Sequence, residues 1–338
     1  MDKLGMGLIG CGVMGSSLAK ACNELEQACI VAVSDVAEEV GKKLSEELGA
    51  PWYADFREML QREDVQAVLV ATPGFLHAEA TVAAAEAGKH VFCEKPMAVT
   101  LEDCDAMIAA CEKNSVKLMI GQVCRFHAVH SKVKQMVDEG LIGQPACMVV
   151  RRLGGGFGGV WARTWRNERR LSGGTLMEVN AHEIDFMRWV CGDVQSVVAR
   201  GGQFREKQTD YEDVMLVTMT FANGGLGWLH SSSISAIGEY GGRLDGTEGS
   251  LFFPRIWGDD AGIHWARFGE KEQFIPAADI PVENPVRAEL RAFVNAILND
   301  TPPPVTGTDG RAVVAIALAA YQSAATGEAI TLTPKTEG

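Results

Sequence analysis

From Leu4 to about Gly121, short apolar runs rich in β-branched residues alternate with stretches in which apolar positions recur every three or four residues. The runs are Met6 to Ile9, Ile30 to Ser34, Val65 to Ala71, Val91 to Cys93 and Lys117 to Gly121. Between them, helical patterns extend from a glycine turn to about Leu25, then over Val36 to Leu48, Ala78 to Ala87 and Leu101 to Asn114. Strict alternation of the two periods predicts an α/β unit built on a parallel, doubly wound sheet.

Beyond Gly121 the texture changes. A helix is predicted over Val129 to Glu139, a strand over Ala146 to Leu153, a glycine-rich loop over Gly154 to Gly159 and one helix from about Leu176 to Val190. Seven strand candidates follow: Val194–Gln203, Val214–Phe221, Leu226–Ser235, Gly241–Asp245, Ser250–Phe253, Ile263–Phe268 and Glu272–Ile275. Turns such as Asn223-Gly224-Gly225 join them, which predicts an antiparallel sheet built of hairpins. Glu283 to Leu298 and Asp309 to Ala325 read as closing helices. The expected division is residues 1–123 and 124–338.

Composition narrows the function classes. With 338 residues, 47% hydrophobic and 22% charged, the chain is long enough for two buried cores. Its net charge of -13 repels polyanions, so nucleic acid and anionic membranes are not expected partners and a small molecule is. Nine cysteines, an odd number with no Cys-x-x-Cys pair, read as reduced thiols of a cytoplasmic protein, without a disulfide framework or metal site. The longest apolar stretch, Ala312 to Tyr321, falls well short of the ~20 residues that span a bilayer.

The chemistry begins at Gly10-Cys11-Gly12-Val13-Met14-Gly15, which follows the first strand and opens the first helix. In that context the glycines allow a tight turn and close backbone approach, while the helix amino terminus attracts a pyrophosphate. Asp35 closes the second strand, 20 residues after Gly15. A carboxylate there accepts ribose hydroxyls and repels a 2′-phosphate, favouring NAD over NADP; capping the next helix is its alternative role. Thr72-Pro73 lies at the carboxyl edge of the sheet, where such a cofactor binds, and a ligand contact and a local structural role are both open for His77.

Glu94-Lys95-Pro96 ends the strand Val91 to Cys93, and Pro96 restricts Lys95 to an extended backbone. Together with Gly10-x-Gly12-x-x-Gly15, Thr72-Pro73 with His77, the run Ala87 to Pro96, Arg125-Phe126, and Gly173-Gly174 with His182 and Asp185, this element resembles the glucose-fructose oxidoreductase, inositol dehydrogenase and MocA family. The resemblance is dense in the amino-terminal domain and sparse in the other. It implies a Rossmann domain followed by an α/β domain with a large, open, mainly antiparallel sheet, assembled as a homodimer or homotetramer. Lys95 is then the catalytic lysine and His182 the second acid/base residue. Where relatives often carry an aspartate and a glycine, this chain has Glu178 and Asn180.

On one continuous helix, Glu178 and His182 would stand ~6 Å apart at i and i+4, with Glu178 either supporting the imidazole or contacting substrate. Asp185 reads as structural. Arg166 is a candidate for a phosphate, a sugar hydroxyl or a nearby carboxylate, and Arg125 for substrate. Phe157, Trp161 and Trp165 are candidate platforms for a sugar ring. Cofactor contacts are expected from Gly10, Gly12, Val13, Met14, Gly15, Asp35, Thr72, Pro73, His77, Glu94, Lys95 and Arg166, and substrate contacts from Lys95, Arg125, Trp165, Glu178 and His182. The leading expectation is NAD-dependent oxidation of a secondary alcohol on a polyol, sugar or glycoside. The alternatives are a glycosidase that oxidises, eliminates and returns the hydride, and a non-catalytic nucleotide sensor.

Overall fold

The computed structural model describes residues 3–155 and 164–332. Phe157, Trp161 and the expected loop beyond Gly155 lie outside the described residues. Two compact units emerge: residues 3–123 with 283–314, and the described residues of 124–282 with 315–332.

In the first unit, β1 (Leu4–Ile9), β2 (Ala28–Ser34), β3 (Trp52–Tyr53), β4 (Ala67–Val70), β5 (His90–Glu94) and β6 (Leu118–Gly121) form one parallel sheet in the order β3-β2-β1-β4-β5-β6. Helices α1 (Val13–Asn23), α2 (Glu38–Leu48), α3 (Phe56–Leu60), α4 (His77–Glu86) and α5 (Leu101–Lys113) connect the strands. Every residue of β1 and β4 is buried, as in parallel sheets covered on both faces. The parallel, doubly wound sheet read from the alternation is borne out, and so is the Rossmann domain that the resemblance implies. The sequence pattern missed β3 and α3, which are two and five residues long and too short to establish a period.

In the second unit, α6 (Ala128–Asp138) and β7 (Pro145–Leu153) precede α7 (Arg169–Ser172), α8 (Gly174–Glu178) and α9 (Ala181–Cys191). A nine-stranded sheet adds β8 (Val194–Gly202), β9 (Val214–Phe221), β10 (Leu226–Ser232), β11 (Glu239–Gly246), β12 (Gly249–Phe253), β13 (Gly262–Arg267), β14 (Gln273–Pro276) and β15 (Ile330–Thr331). Its order is β14-β13-β12-β11-β7-β10-β9-β8-β15, antiparallel except for β7 against β10. Val197, Met215, Val217, Met219, Leu229 and Leu251 are buried on one face, where α9 packs on β7 and β10. On the same strands Val198, Leu216, Leu226 and Phe252 are exposed. The expected open, mainly antiparallel sheet is therefore present.

One expected element is corrected. The predicted helix from Leu176 to Val190 is two helices, because the amides of Val179 and Asn180 both donate to the Thr175 carbonyl, each at 3.0 Å. That shared acceptor widens the turn, and regular bonding resumes with Ile184 N donating to Asn180 O. Glu178 ends α8 and His182 lies in the first turn of α9, so the simple i, i+4 spacing does not describe them.

The chain returns to the first unit through α10 (Pro285–Leu298) and the start of α11 (Gly307–Thr326). Residues 283–314 thus belong by their packing with the Rossmann sheet, whereas the sequence division groups them with 124–338. Asn284 caps α10 by accepting from the amides of Val286 and Arg287, and Pro285 begins the helix without needing an amide partner. Phe293 meets Phe92 edge-on at 5.8 Å, and Ile120 N donates to Val305 O beside β6. An apolar helix face and an open strand edge are covered together.

Candidate active site

The turn after β1 carries three glycines with three separate physical jobs. Gly10 has φ +96°, a left-handed value that side chains avoid, and a Cβ there would lie 2.8 Å from the Ala71 backbone. A Cβ on Gly15 would stand 1.8 Å from the Gly10 carbonyl oxygen, so α1 can pack on the turn only with glycine. At Gly12 a Cβ would meet nothing within 4 Å. The missing side chain at Gly12 therefore serves no internal packing; it leaves open the approach to the start of α1. This cradle fits a dinucleotide pyrophosphate.

Asp35 follows β2. Its Oδ2 accepts from Cys11 N at 2.7 Å and its Oδ1 from Ala37 N at 2.8 Å. Residue 37, not Asp35, is the amino-terminal cap of α2, so the capping alternative is not what the structure contains. The carboxylate instead ties the glycine turn to the end of β2, and four lone-pair positions leave it able to accept further hydroxyls. Burial, then the charge of Asp35, pushes the Cys11 thiol up to about 12, so this cysteine is neutral. Val13 and Met14 in the first turn of α1, with Val36 beyond Asp35, are exposed apolar side chains around the cradle.

Thr72 and Pro73 follow β4, and Thr72 Oγ1 is a buried hydroxyl with no partner among the described residues. That orphan also fits a bound cofactor. His77, the first residue of α4, is 1% exposed; its Nδ1 lies 2.8 Å from Pro96 O and its Nε2 2.8 Å from Thr72 O. Both ring nitrogens are engaged by backbone between two turns of the same unit. Glu94 ends β5 buried, with Oε2 accepting from Lys95 N at 3.1 Å. Lys95 is half-buried, and its peptide bond to Pro96 is cis.

The remaining candidates lie in the second unit. Arg125 is buried and donates through Nε and Nη2 to both oxygens of Asp185, at 2.7 and 2.6 Å. Such a two-point pair holds the connection after β6 to α9, consistent with a structural Asp185. Arg166 Nε donates to Glu178 Oε1 at 2.5 Å, and its guanidinium lies 4.3 Å over the half-buried Trp165 ring. Of the partners open to Arg166 from sequence, the structure contains the carboxylate. The Arg166 carbonyl accepts from Tyr211 Oη at 2.7 Å, and Asp210 Oδ1 accepts from Arg169 N at 2.6 Å. A segment after β8 thus buckles the Trp165-Arg166 turn in place.

Gly174, at φ +71°, starts α8 where a Cβ would lie 2.6 Å from Tyr321 Oη, which itself accepts from Leu176 N at 2.8 Å. The paired glycines are thereby explained by backbone conformation and by a tyrosine packed on the helix start. His182 stands half-buried in the first turn of α9. Just before it, Asn180 is fully buried: its Nδ2 donates to Glu183 Oε2 at 2.9 Å and its Oδ1 accepts from Ser231 Oγ at 2.6 Å.

A family model described as the oxidoreductase family with an NAD-binding Rossmann fold matches residues 4–122, and its companion, the C-terminal alpha/beta domain, matches residues 134–332. The chain belongs to this oxidoreductase family. Among curated relatives of this family member, a 2,7-anhydro-N-acetylneuraminate hydratase of Mediterraneibacter gnavus is 33% identical over 260 residues, 74% of this chain and 67% of the relative. The myo-inositol 2-dehydrogenase of Thermotoga maritima is 28% identical over 325 residues, 94% and 95% of the two chains. A levoglucosan dehydrogenase solved with NADH and levoglucosan superposes with a TM-score of 0.85 at 25% identity, covering 98% of this chain and 99% of that one.

Two positions in this oxidoreductase were not singled out as functional by the sequence. Asn180 registered only as a departure from glycine, yet it ties the start of α9 to β10. Glu289 lies on α10 with Leu290, Phe293 and Val294, an acid within a buried stripe. Burial, then the charge of Glu94, holds its carboxyl well above the usual range, and its Oε2 has no partner among the described residues. The signal was visible as an acid i−4 from Phe293. Among the described residues no helix is long and apolar enough to cross a membrane.

Proposed function

We propose that the protein reversibly oxidises a secondary alcohol of a cyclic polyol, sugar or glycoside with NAD, and that Lys95 and His182 act as acid and base on that hydroxyl. The observation that carries the reading is Lys95 at the carboxyl end of β5, in a sheet whose turn at Gly10, Gly12 and Gly15 has the shape of a dinucleotide cradle. The names of the inositol and levoglucosan dehydrogenases support the substrate class. When bound, the nicotinamide accepts or returns the hydride.

In the oxidising direction the Lys95 amine takes the hydroxyl proton, and His182 orients the hydroxyl or passes that proton on. Glu178, fixed by Arg166, supports His182 or accepts from a neighbouring substrate hydroxyl. Asp35 accepts from the ribose hydroxyls and disfavours a 2′-phosphate, which supports NAD over NADP. The exposed apolar positions Val198, Leu216, Leu226 and Phe252 on one sheet face support assembly as a homodimer or homotetramer. Nine free thiols support a reducing, cytoplasmic location.

A second reading is favoured by the hydratase relative, whose name describes no net oxidation. There the same residues serve oxidation, elimination and return of the hydride. Incubation with NAD and a panel of polyols, sugars and glycosides distinguishes the two. Sustained NADH formation supports the dehydrogenase, product without NADH supports the cofactor-retaining reaction, and NAD binding without any product contradicts both.

A further inference from the structure

His77 is held by two groups of one kind. Thr72 O and Pro96 O are each 2.8 Å from a ring nitrogen, and a peptide carbonyl oxygen can only accept. A neutral imidazole carries one N–H, so whichever tautomer forms, its other nitrogen would point a lone pair at a carbonyl lone pair. Only the imidazolium donates to both. The ring is 1% exposed, so water does not replace either partner. The two carbonyls belong to the turn after β4 and to the loop carrying Lys95, and these turns touch: a Cβ on Gly74 would lie 3.1 Å from the Pro96 ring.

We propose that His77 is a positively charged positioning residue, an imidazolium that donates to Thr72 O and Pro96 O and so locks the Lys95-Pro96 loop onto the Thr72-Pro73 turn. In this role the ring acts through the two turns. Of the charged groups on the packed elements, Lys95, next to Pro96, is the half-buried cation, and the others are engaged elsewhere, exposed or acidic. Arg57 of α3 is engaged at the surface by Asp55 and Glu79, Asp103 of α5 by Thr100, and Asp105 by Arg311. Glu58, Glu102, Glu112 and Lys113 are exposed. Glu94, at the end of β5, is the buried carboxylate on the strand leading into Pro96.

The consequence for catalysis rests on the role proposed for Lys95; the protonation state does not. It is therefore tested on the protein without cofactor or substrate. Histidine labelled with ¹⁵N reports whether each ring nitrogen carries a proton, with His77 assigned by difference from His77→Gln or, if that variant does not fold, by through-bond correlation. Both nitrogens protonated at pH 7.5 is the expected result, and one bare nitrogen overturns the proposal.

Stability gives an independent readout with opposite signs for the two states. A histidine whose folded-state pKa is raised stabilises fully below its unfolded value of ~6.5, and that stabilisation is lost as pH rises through the folded value. The excess unfolding temperature of the native protein over His77→Gln should then shrink from pH 6.5 upward. A neutral buried imidazole would instead make that excess grow from pH 5 to 6.5. Growth, or a difference that is flat with pH, overturns the proposal whether or not any sugar is oxidised.

Discussion

Alanine at Gly12 and at Gly15 should have opposite consequences, although the two positions lie in the same turn. Gly12 has φ -65° and ψ -166°, a conformation alanine adopts, and its added Cβ meets nothing within 4 Å. Gly12→Ala should leave the fold intact or stabilise it by ~0.4–1 kcal/mol through a less flexible unfolded chain. The methyl group would stand where the pyrophosphate must approach the backbone. Losing two charge-assisted bonds worth ~1.5–3 kcal/mol each weakens NAD binding by ~10²–10⁴-fold. At Gly15 the Cβ would lie 1.8 Å from Gly10 O, so turn and helix must separate by more than an ångström. Such overpacking costs on the order of 3 kcal/mol or more. Thermal unfolding and titration calorimetry with NAD separate the cases. Gly12→Ala that unfolds as early as Gly15→Ala, or binds NAD within threefold of the native protein, would refute the assignment of the open glycine to the cofactor.

Other outcomes follow from the same contacts. Asp35→Ser removes the charge while leaving a group able to accept from Cys11 N or Ala37 N, so the preference for NAD over NADP, read as a ratio of Kd values, should fall at least ~10-fold; an unchanged ratio would remove Asp35 from ribose recognition. Glu289, whose folded-state pKa is raised, stabilises most below its unfolded value of ~4.3 and loses that contribution as pH rises. Glu289→Gln should therefore gain on the native protein by up to ~1.4 kcal/mol per pH unit above that value, and parallel stability curves from pH 5 to 8 would contradict this. Arg125→Met removes a two-point charged partner from the buried Asp185 carboxylate and should cost ~3–5 kcal/mol in denaturant unfolding, whereas adding Asp185→Leu should restore part of it. Equal losses in the single and double variants would argue against the pair.

The sequence made the first sheet legible because each buried parallel strand is a continuous apolar run between helices, and because glycine at 10 and 15 has few substitutes. It did not disclose β3 or the break between α8 and α9. The first pairs only through Val33 and Ser34, and the second depends on two amides sharing one carbonyl, which leaves no trace in hydrophobic period. The site was legible in its residue types and less so in their partners. Arg125, a substrate candidate by sequence, is bonded at both ends of its guanidinium fork to a carboxylate sixty positions away. Arg166 faces Glu178, and His77 faces two carbonyls, contacts that arise only when distant turns meet. Asn180 could be seen as a substitution, but its bond to Ser231 required the sheet.

The most direct test of the account is the rate of NADH appearance in a single turnover, comparing Lys95→Ala with the native protein at saturating NAD on a substrate identified by the sugar panel. The expected result is a loss of ~10²–10⁴-fold, the range for removing a positioned acid or base. A rate within a few-fold of the native protein would contradict the central claim that Lys95 moves the hydroxyl proton.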